Sequence, residues 1–163
     1  MQSYKAQYAL GFRQVMDAVE HIGPSRTILL EGHMGIGKSS MLPALGKRLP
    51  NHLLCYFDCT TKDLGDIMIP NVQMIDGEGK FIRYLTNEEL GAHSNEPIIL
   101  MLDEIGKCNR AVQSALRRVM LERKIGTYTL HPESIVFATT NLGAENVGDL
   151  MEAHKRNAIP TIQ

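Results

Sequence analysis

The chain has 163 residues, of which 44% are apolar and 21% charged, and its formal net charge is −1. This length suits one domain with a substantial core, and the near-neutral charge gives no whole-chain argument for binding nucleic acid or membranes. No apolar run reaches the ~20 residues of a membrane span, and the N-terminus lacks a signal-peptide core. Three sparse cysteines suit a reducing compartment, so we expect a cytoplasmic protein with buried thiols.

The first predicted helix covers residues 3–20, where apolar residues recur at helical spacing, with Ser3 as its N-cap. The pair Gly23-Pro24 ends it. A short apolar run at residues 28–30 then predicts a strand that leads into a glycine-rich turn. This order of helix, strand and turn sets up the main motif of the chain.

The glycine-rich turn, GHMGIGKSS, matches the pattern G-x-x-x-x-G-K-S. Glycines allow backbone angles that let successive N–H groups converge on a phosphate, and the helix predicted next directs its N-terminal dipole at the same anion. We expect Lys38 to reach the β- and γ-phosphates of a nucleotide and the Ser39 hydroxyl to ligate Mg²⁺. The predicted phosphate-binding residues are Gly32, His33, Met34, Gly35, Ile36, Gly37, Lys38, Ser39 and Ser40.

The middle of the chain predicts a strand at residues 53–57 that ends at Asp58, followed by a helical turn in DLGDIMIP. Residues 72–85 predict a hairpin around a turn at 76–79. Thr86 begins a sequence typical of a capping box and predicts a short helix.

A second apolar strand carries further candidate residues. Five consecutive apolar residues at 98–102 predict a strand that is buried on both faces, as in a parallel sheet. Asp103 follows and can hold the Mg²⁺ shell, while Glu104 can orient and deprotonate a water that attacks a γ-phosphate. Because a kinase has no need for such a base, the pair favours hydrolysis.

The last third of the chain predicts a helix after Asn109, a small hairpin within residues 124–134 and a strand at 134–140 that ends at Asn141. The Asn141 amide either polarises the attacking water or contacts the γ-phosphate, or Asn141 is only a turn residue, and these interpretations stay open. Residues 147–157 predict a helix, and residues 159–162 a short final strand. Strands that alternate with helices indicate an α/β fold with a parallel sheet.

Three motifs, in this order and spacing, resemble those of the AAA+ ATPases: GHMGIGKSS resembles Walker A, IILMLDE Walker B and VFATTN sensor 1. The closer resemblance is to the MoxR-like ATPases of bacteria and phages. In these proteins, Walker B is followed by a helix with the pattern V-Q-x-A-L, like residues 112–116 here, and then by a Glu-Arg pair, like Glu122-Arg123. The 72–85 hairpin is similar to their insertion between the second and third strands. Gly106 departs from the family pattern, which usually has Asn there.

The resemblance implies a three-layer P-loop NTPase core, a single domain over residues 1–163, with a five-stranded parallel sheet in the order 5-1-4-3-2 and small hairpin insertions. It also implies a catalyst that binds ATP and Mg²⁺, assembles into a ring that is usually a hexamer, and remodels a protein partner. The stretch after Asn141 is shorter than the helical lid of AAA+ proteins, so we expect a core without that lid, a shortened chain, or a protein that borrows a lid.

Hydrolysis at a subunit interface usually needs an arginine from the neighbouring subunit. In similar sequences the run at residues 156–158 often reads Arg-Asn-Arg, and here Ala158 stands at the place of the second arginine. We therefore expect tight ATP binding with slow turnover. Arg156 is either a displaced finger or a cation favoured by a helix C-terminus.

Three other functions stay open on the sequence alone. A DNA-replication AAA+ protein, such as a helicase loader, would carry a basic stripe and bind DNA with strong salt dependence, which the neutral charge does not favour. A small-molecule P-loop kinase would need an arginine-rich lid. A nucleotide-gated assembly protein would bind ATP and hardly hydrolyse it.

Overall fold

The computed structural model of the chain describes residues 10–141 and 161–162. The helices of these residues are α1 (Phe12–Ile22), α2 (Met41–Arg48) and α3 (Arg110–Glu122). Their strands are β1 (Ile28–Gly32), β2 (Leu53–Asp58), β3 (Met68–Ile75), β4 (Glu78–Thr86), β5 (Ile98–Asp103), β6 (Lys124–Ile125), β7 (Tyr128–Thr129), β8 (Ile135–Asn141) and β9 (Thr161–Ile162). Several short 3₁₀ turns join these elements.

Five strands form one sheet in the order β2-β5-β8-β1-β9, and every neighbouring pair in it is parallel. Numbered along the chain and read from the other edge, the order of these five strands is 5-1-4-3-2. The predicted α/β fold and its strand order are therefore confirmed.

Apolar side chains on the two faces of the sheet form two separate clusters. One lies on the α3 side and includes Leu100 and Leu102 of β5, and the other lies on the α1 and α2 side and includes Ile99 and Met101. All of residues 98–102 are buried, as predicted, because helices cover both faces of the sheet. Since side chains alternate between the faces along a strand, the side chain of Asp103 falls on the α1 and α2 side.

Two antiparallel hairpins branch from the connections between the sheet strands. In the larger one, β3 and β4 pair from Met68 with Thr86 at the base to Ile75 with Glu78 at the tip. Its turn residues Asp76 and Gly77 both have positive φ, which fits a tight two-residue hairpin turn. The expected hairpin at 72–85 is thus present and longer than predicted, and β6 and β7 form the expected smaller one.

Within the described residues, the first helix begins later than predicted, and the helix predicted from Thr86 is wrong. Helix α1 begins at Phe12, because Gly11 has the extended φ of −72° and ψ of 159° of an N-cap residue, while Ser3 lies outside the described residues. Thr86 starts no helix, since it ends β4. Asn87 instead caps a single 3₁₀ turn, and its side chain accepts the backbone N–H two residues later at 2.9 Å.

Several predictions near the C-terminus fall outside the described residues. These include the helix at 147–157 and both Arg156 and Ala158. Of the predicted strand at 159–162, the described part is β9, which pairs in parallel with β1.

The three cysteines are free and buried, as expected. Burial raises the pKa of the Cys55 thiol to about 11. The neighbouring thiol of Cys108, and then burial, raise the pKa of Cys59, while the same neighbour lowers the pKa of Cys108. Within residues 10–141 and 161–162, none of the helices has the length and apolar character needed to cross a bilayer.

Candidate functional site

The glycine-rich loop lies at the carboxyl end of β1. Gly35 and Gly37 have φ values of +84° and +91°, a left-handed conformation that residues with a Cβ rarely adopt. The Ser40 hydroxyl donates to the Gly37 carbonyl at 2.7 Å and closes the 3₁₀ turn (Lys38–Ser40) that leads into α2. The glycines therefore occupy the bends that the motif requires of them.

Side chains around the loop take different positions. His33, Met34 and Ser39 are exposed. Ile36 folds back over Gly32 so closely that a Cβ at Gly32 would lie 2.1 Å from its Cδ1 atom. A side chain at position 32 would therefore displace the exposed Ile36 side chain, a contact that the motif alone did not reveal.

Lys38 is held by three acceptors at the end of the sheet. Its Nζ donates to the Gly32 carbonyl at 2.8 Å, the His33 carbonyl at 3.1 Å and Asn141 Oδ1 at 2.7 Å. Asn141 can reach Lys38 because β1 and β8 are neighbours whose register pairs Gly32 with Asn141. The structure thus brings two of the predicted site residues into direct contact.

Asp103 is the last residue of β5 and Glu104 follows it, and both residues form hydrogen bonds with the hydroxyl group of Thr139. Tyr56 Oη donates to Asp103 Oδ2 at 2.8 Å, and Thr139 Oγ1 donates to Asp103 Oδ1. The backbone N–H of Glu104 in turn donates to Thr139 Oγ1 at 3.1 Å. Burial first, and then the bond to Asp103, raises the pKa of Tyr56 to about 12. Sequence reasoning found both carboxylates and missed both hydroxyls.

Glu104 stands in an uncommon backbone conformation. Its φ of 53° lies in the left-handed region, which few residues other than glycine adopt and which often marks functional sites. One of its carboxylate oxygens, Oε2, is buried and lies 3.3 Å from Lys107 Nζ. Because the Glu104 backbone is left-handed, the chain changes direction sharply where β5 passes into the following 3₁₀ turn (Ile105–Lys107).

Helix α3 holds the turn that carries Glu104. The buried Gln113 side chain donates from Nε2 to the Ile105 carbonyl at 3.2 Å and to the Cys108 carbonyl at 3.1 Å. Asn109 caps the helix as predicted, because its Oδ1 accepts the Val112 N–H at 2.9 Å. The glutamine of the V-Q-x-A-L sequence therefore has a physical task, which is to fix this turn.

The Glu-Arg pair at the end of α3 makes contacts away from the phosphate loop. The Arg123 guanidinium donates to the Gly23 carbonyl at 2.6 Å and to the Ser134 carbonyl at 3.4 Å, and burial lowers its pKa to about 10. Glu122 forms an ion pair with Arg118 at 3.0 Å. Arg123 therefore ties α3 to the end of α1 and the start of β8.

An apolar pocket of about 200 Å³ adjoins the glycine-rich loop. Its lining residues are Leu10, Phe12, Val15, Leu30, Glu31, Ile36, Gly37, Lys38, Met41 and Ile162. The apolar lining of this pocket suits a flat nucleotide base, and the Lys38 cation in the same lining suits the phosphates joined to it. The sequence did not reveal it, because its walls come from α1, β1, α2 and β9, which meet only in the fold.

The oxygen donors of the site suit a hard cation. Ser39 offers a hydroxyl and Asp103 a carboxylate, and among the described residues no three His, Cys, Asp or Glu side chains are grouped as a metal site. Mg²⁺ usually takes one or two protein ligands and completes its shell with phosphate oxygens and water. The residues present therefore fit Mg²⁺ bound together with a nucleotide.

Comparison with known proteins agrees with this geometry. The family model for the AAA domain (dynein-related subfamily) matches residues 27–154. A crystal structure from Cytophaga hutchinsonii, described provisionally as an ATPase, has a TM-score of 0.60 and 21% identity, and the match covers 92% of this chain and 44% of that one. This likeness concerns the fold, and no curated protein is significantly similar. From the family match, the chain belongs to the AAA+ ATPases, in the dynein-related AAA domain family.

Proposed function

We propose that this chain binds ATP with Mg²⁺, hydrolyses it, and uses the cycle to drive subunit assembly and the remodelling of a protein partner. The observation that carries the ATPase part is the placement of four candidate groups on neighbouring strand ends. Lys38 contacts Asn141 at 2.7 Å, and Thr139, two residues before Asn141, contacts Asp103. Glu104 is the next residue after Asp103.

Each of these residues has a separate task in the proposed reaction. Lys38 neutralises the β- and γ-phosphates, while Ser39 and Asp103 hold the Mg²⁺ ion, which when bound draws charge from the phosphate oxygens. Glu104 orients the attacking water and accepts its proton. Asn141 orients the same water or the γ-phosphate through its amide.

The apolar pocket beside the loop is the proposed adenine site. Val15 lies half-buried in its wall, so Val15→Glu should place a charge against the base and weaken ATP binding by about 10- to 100-fold, the worth of burying one apolar group. Calorimetry with ATP and with inorganic triphosphate measures this effect.

The triphosphate serves as the internal reference. Because it has no base, it should bind the parent protein and Val15→Glu with equal affinity. Gln14→Glu is the matched control, since it adds the same side chain and the same charge at an exposed position of α1. Equal losses of ATP and triphosphate affinity in Val15→Glu would place the base elsewhere.

The ring, the partner and the MoxR-like placement are proposals that rest on the family resemblance. Rings of this kind contribute an arginine across the interface, and Arg156 is the candidate here, with Ala158 unable to supply the charge. A single nucleotide-binding core domain that works in the cytoplasm completes the proposal.

The hairpin of β3 and β4 is the proposed surface for the protein partner. Eight of its large apolar side chains are between 38% and 60% exposed: Ile69, Val72, Met74, Ile75, Phe81, Ile82, Tyr84 and Leu85. Exposed apolar groups in such number are typical of interaction sites. Among the described residues, these two strands pair only with each other, so the hairpin stands apart from the sheet that carries the site.

Replacing residues 76–79 with another flexible tetrapeptide should leave basal ATP hydrolysis unchanged and remove its stimulation by a denatured model protein such as reduced casein. Phe81→Ser should have the same effect, because it removes one of the exposed apolar side chains and spares the turn. Arg83→Ser is the control, a polar change on the same strand. A large loss of basal hydrolysis in either hairpin variant would make the hairpin part of the catalytic core.

The whole proposal is tested by ATP hydrolysis measured against protein concentration, with and without DNA. Specific activity that rises with concentration supports hydrolysis at a subunit interface. Stimulation by DNA would favour a replication function, and tight ATP binding without turnover would favour a nucleotide-gated assembly protein.

A further inference from the structure

Two hydroxyl groups hold the carboxylate of Asp103 from opposite sides. The Tyr56 hydroxyl on β2 donates to Oδ2 at 2.8 Å, and the Thr139 hydroxyl on β8 donates to Oδ1. Both oxygens of the carboxylate therefore accept a hydrogen bond from a neighbouring strand. Hydrogen bonds to an ionised group are stronger than those between neutral groups, so together they fix the plane of the carboxylate.

The strand order explains why these two residues meet Asp103. Strand β5 lies between β2 and β8, and its register pairs Leu102 with Ala138, which places Asp103 beside Thr139. On the other side, Asp103 is paired with Asp58, two residues after Tyr56 on the same face of β2. The long Tyr56 side chain reaches along that face to Asp103.

Thr139 also acts on the residue after Asp103. A hydroxyl has one proton to donate and accepts through its lone pairs, and in Thr139 the proton goes to Asp103 while a lone pair accepts the Glu104 N–H at 3.1 Å. Thr139 is fully buried, so no water competes for these bonds. One side chain therefore sets the position of both candidate carboxylate residues.

We propose that Tyr56 and Thr139 are positioning residues that aim Asp103 at the Mg²⁺ ion, with Thr139 also holding the Glu104 backbone. This inference rests on the proposed ATPase function. It assigns both residues to metal binding through Asp103, and neither to direct contact with ATP. Residues that orient a metal ligand typically change metal affinity by about 10- to 100-fold when they are removed.

The test uses Tyr56→Phe and Thr139→Val, which remove the hydroxyls and retain most of each side chain. ATP affinity is measured by calorimetry with Mg²⁺ and again with a chelator that removes it. We expect the gain in affinity due to Mg²⁺ to fall about 10-fold in each variant, while affinity without Mg²⁺ is unchanged. The Mg²⁺ concentration for half-maximal hydrolysis should rise by a similar factor, with kcat largely recovered at high Mg²⁺ in Tyr56→Phe.

Three controls separate positioning from a general loss of structure. Thr140→Val makes the same change at the adjacent buried position, whose hydroxyl has no hydrogen-bond partner among the described residues. Tyr128→Phe removes the hydroxyl of a half-buried tyrosine on β7, far in sequence from Tyr56. Both should retain the parent dependence on Mg²⁺. Thr139→Ser restores a hydroxyl and should recover most of the lost affinity.

Other outcomes would contradict either the positioning role of the two hydroxyls or the proposed ATPase function. Unchanged Mg²⁺ dependence in both Tyr56→Phe and Thr139→Val refutes the positioning role and leaves the ATPase function standing. Equal losses with and without Mg²⁺, or no recovery in Thr139→Ser, assign these hydroxyls to structure alone. A parent protein that binds no ATP under either condition refutes the proposed function itself.

Discussion

Lys38→Ala should lower ATP affinity by at least about 100-fold, to the point where calorimetry at millimolar ATP detects no binding. The change removes a cation at the centre of the proposed phosphate site, and each charge-assisted hydrogen bond to a phosphate is worth about 1.5–3 kcal/mol. It also releases the Gly32 and His33 carbonyls and the Asn141 amide, which share this one donor.

The matched control for this experiment is Lys47→Ala, which removes an exposed lysine from the last turn of α2 and so changes the net charge equally. It should bind ATP as the parent does. Unchanged ATP affinity in Lys38→Ala would refute the assignment of residues 32–40 as the phosphate loop.

Glu104→Gln should bind ATP normally and hydrolyse it about 10²–10⁴ times more slowly, the usual contribution of a positioned base. The amide has the size of the carboxylate but accepts no proton from water. The backbone bond from the Glu104 N–H to Thr139 does not depend on the side chain, so the strand end should retain its shape. Single-turnover hydrolysis beside calorimetric ATP affinity separates the chemical step from binding.

Glu122→Gln is the control for this second experiment. Its carboxylate is also paired with a basic side chain, Arg118, but lies on the exposed surface of α3. Its turnover should equal that of the parent. If Glu104→Gln also hydrolyses ATP at the parent rate, the base is another residue.

Patterns that are local in the chain predicted the main elements. The spacing of glycines and Lys38 indicated the loop, and the apolar run at 98–102 indicated a strand buried on both faces with Asp103 at its end. These predictions needed only a few consecutive residues, because turns and burial leave signals at short range. The strand order came from the family resemblance, since periodicity alone does not say which strands are neighbours.

The features that the sequence did not reveal depend on contacts between distant segments. Tyr56 lies 47 positions from Asp103, and nothing near either residue indicates their hydrogen bond. The pocket beside Lys38 likewise needs α1 and β9 to converge on β1. At Gly11 a local pattern was present but misleading. The apolar periodicity that runs through this residue predicted a helix, although its backbone is extended.

The position of β1 in the sheet has a consequence for how the protein is made. Strand β1 ends at Gly32, yet its partner β8 begins at Ile135, so the ribosome must synthesise the whole segment between them, with β2 and β5, before β1 can pair with β8. Contacts between such distant segments form slowly, and a partly made chain leaves its apolar strands uncovered. Lys38 therefore meets Asn141 only after β8 has been made, and a nascent chain interrupted before β8 has a glycine-rich loop without the strand that brings Asn141 to Lys38.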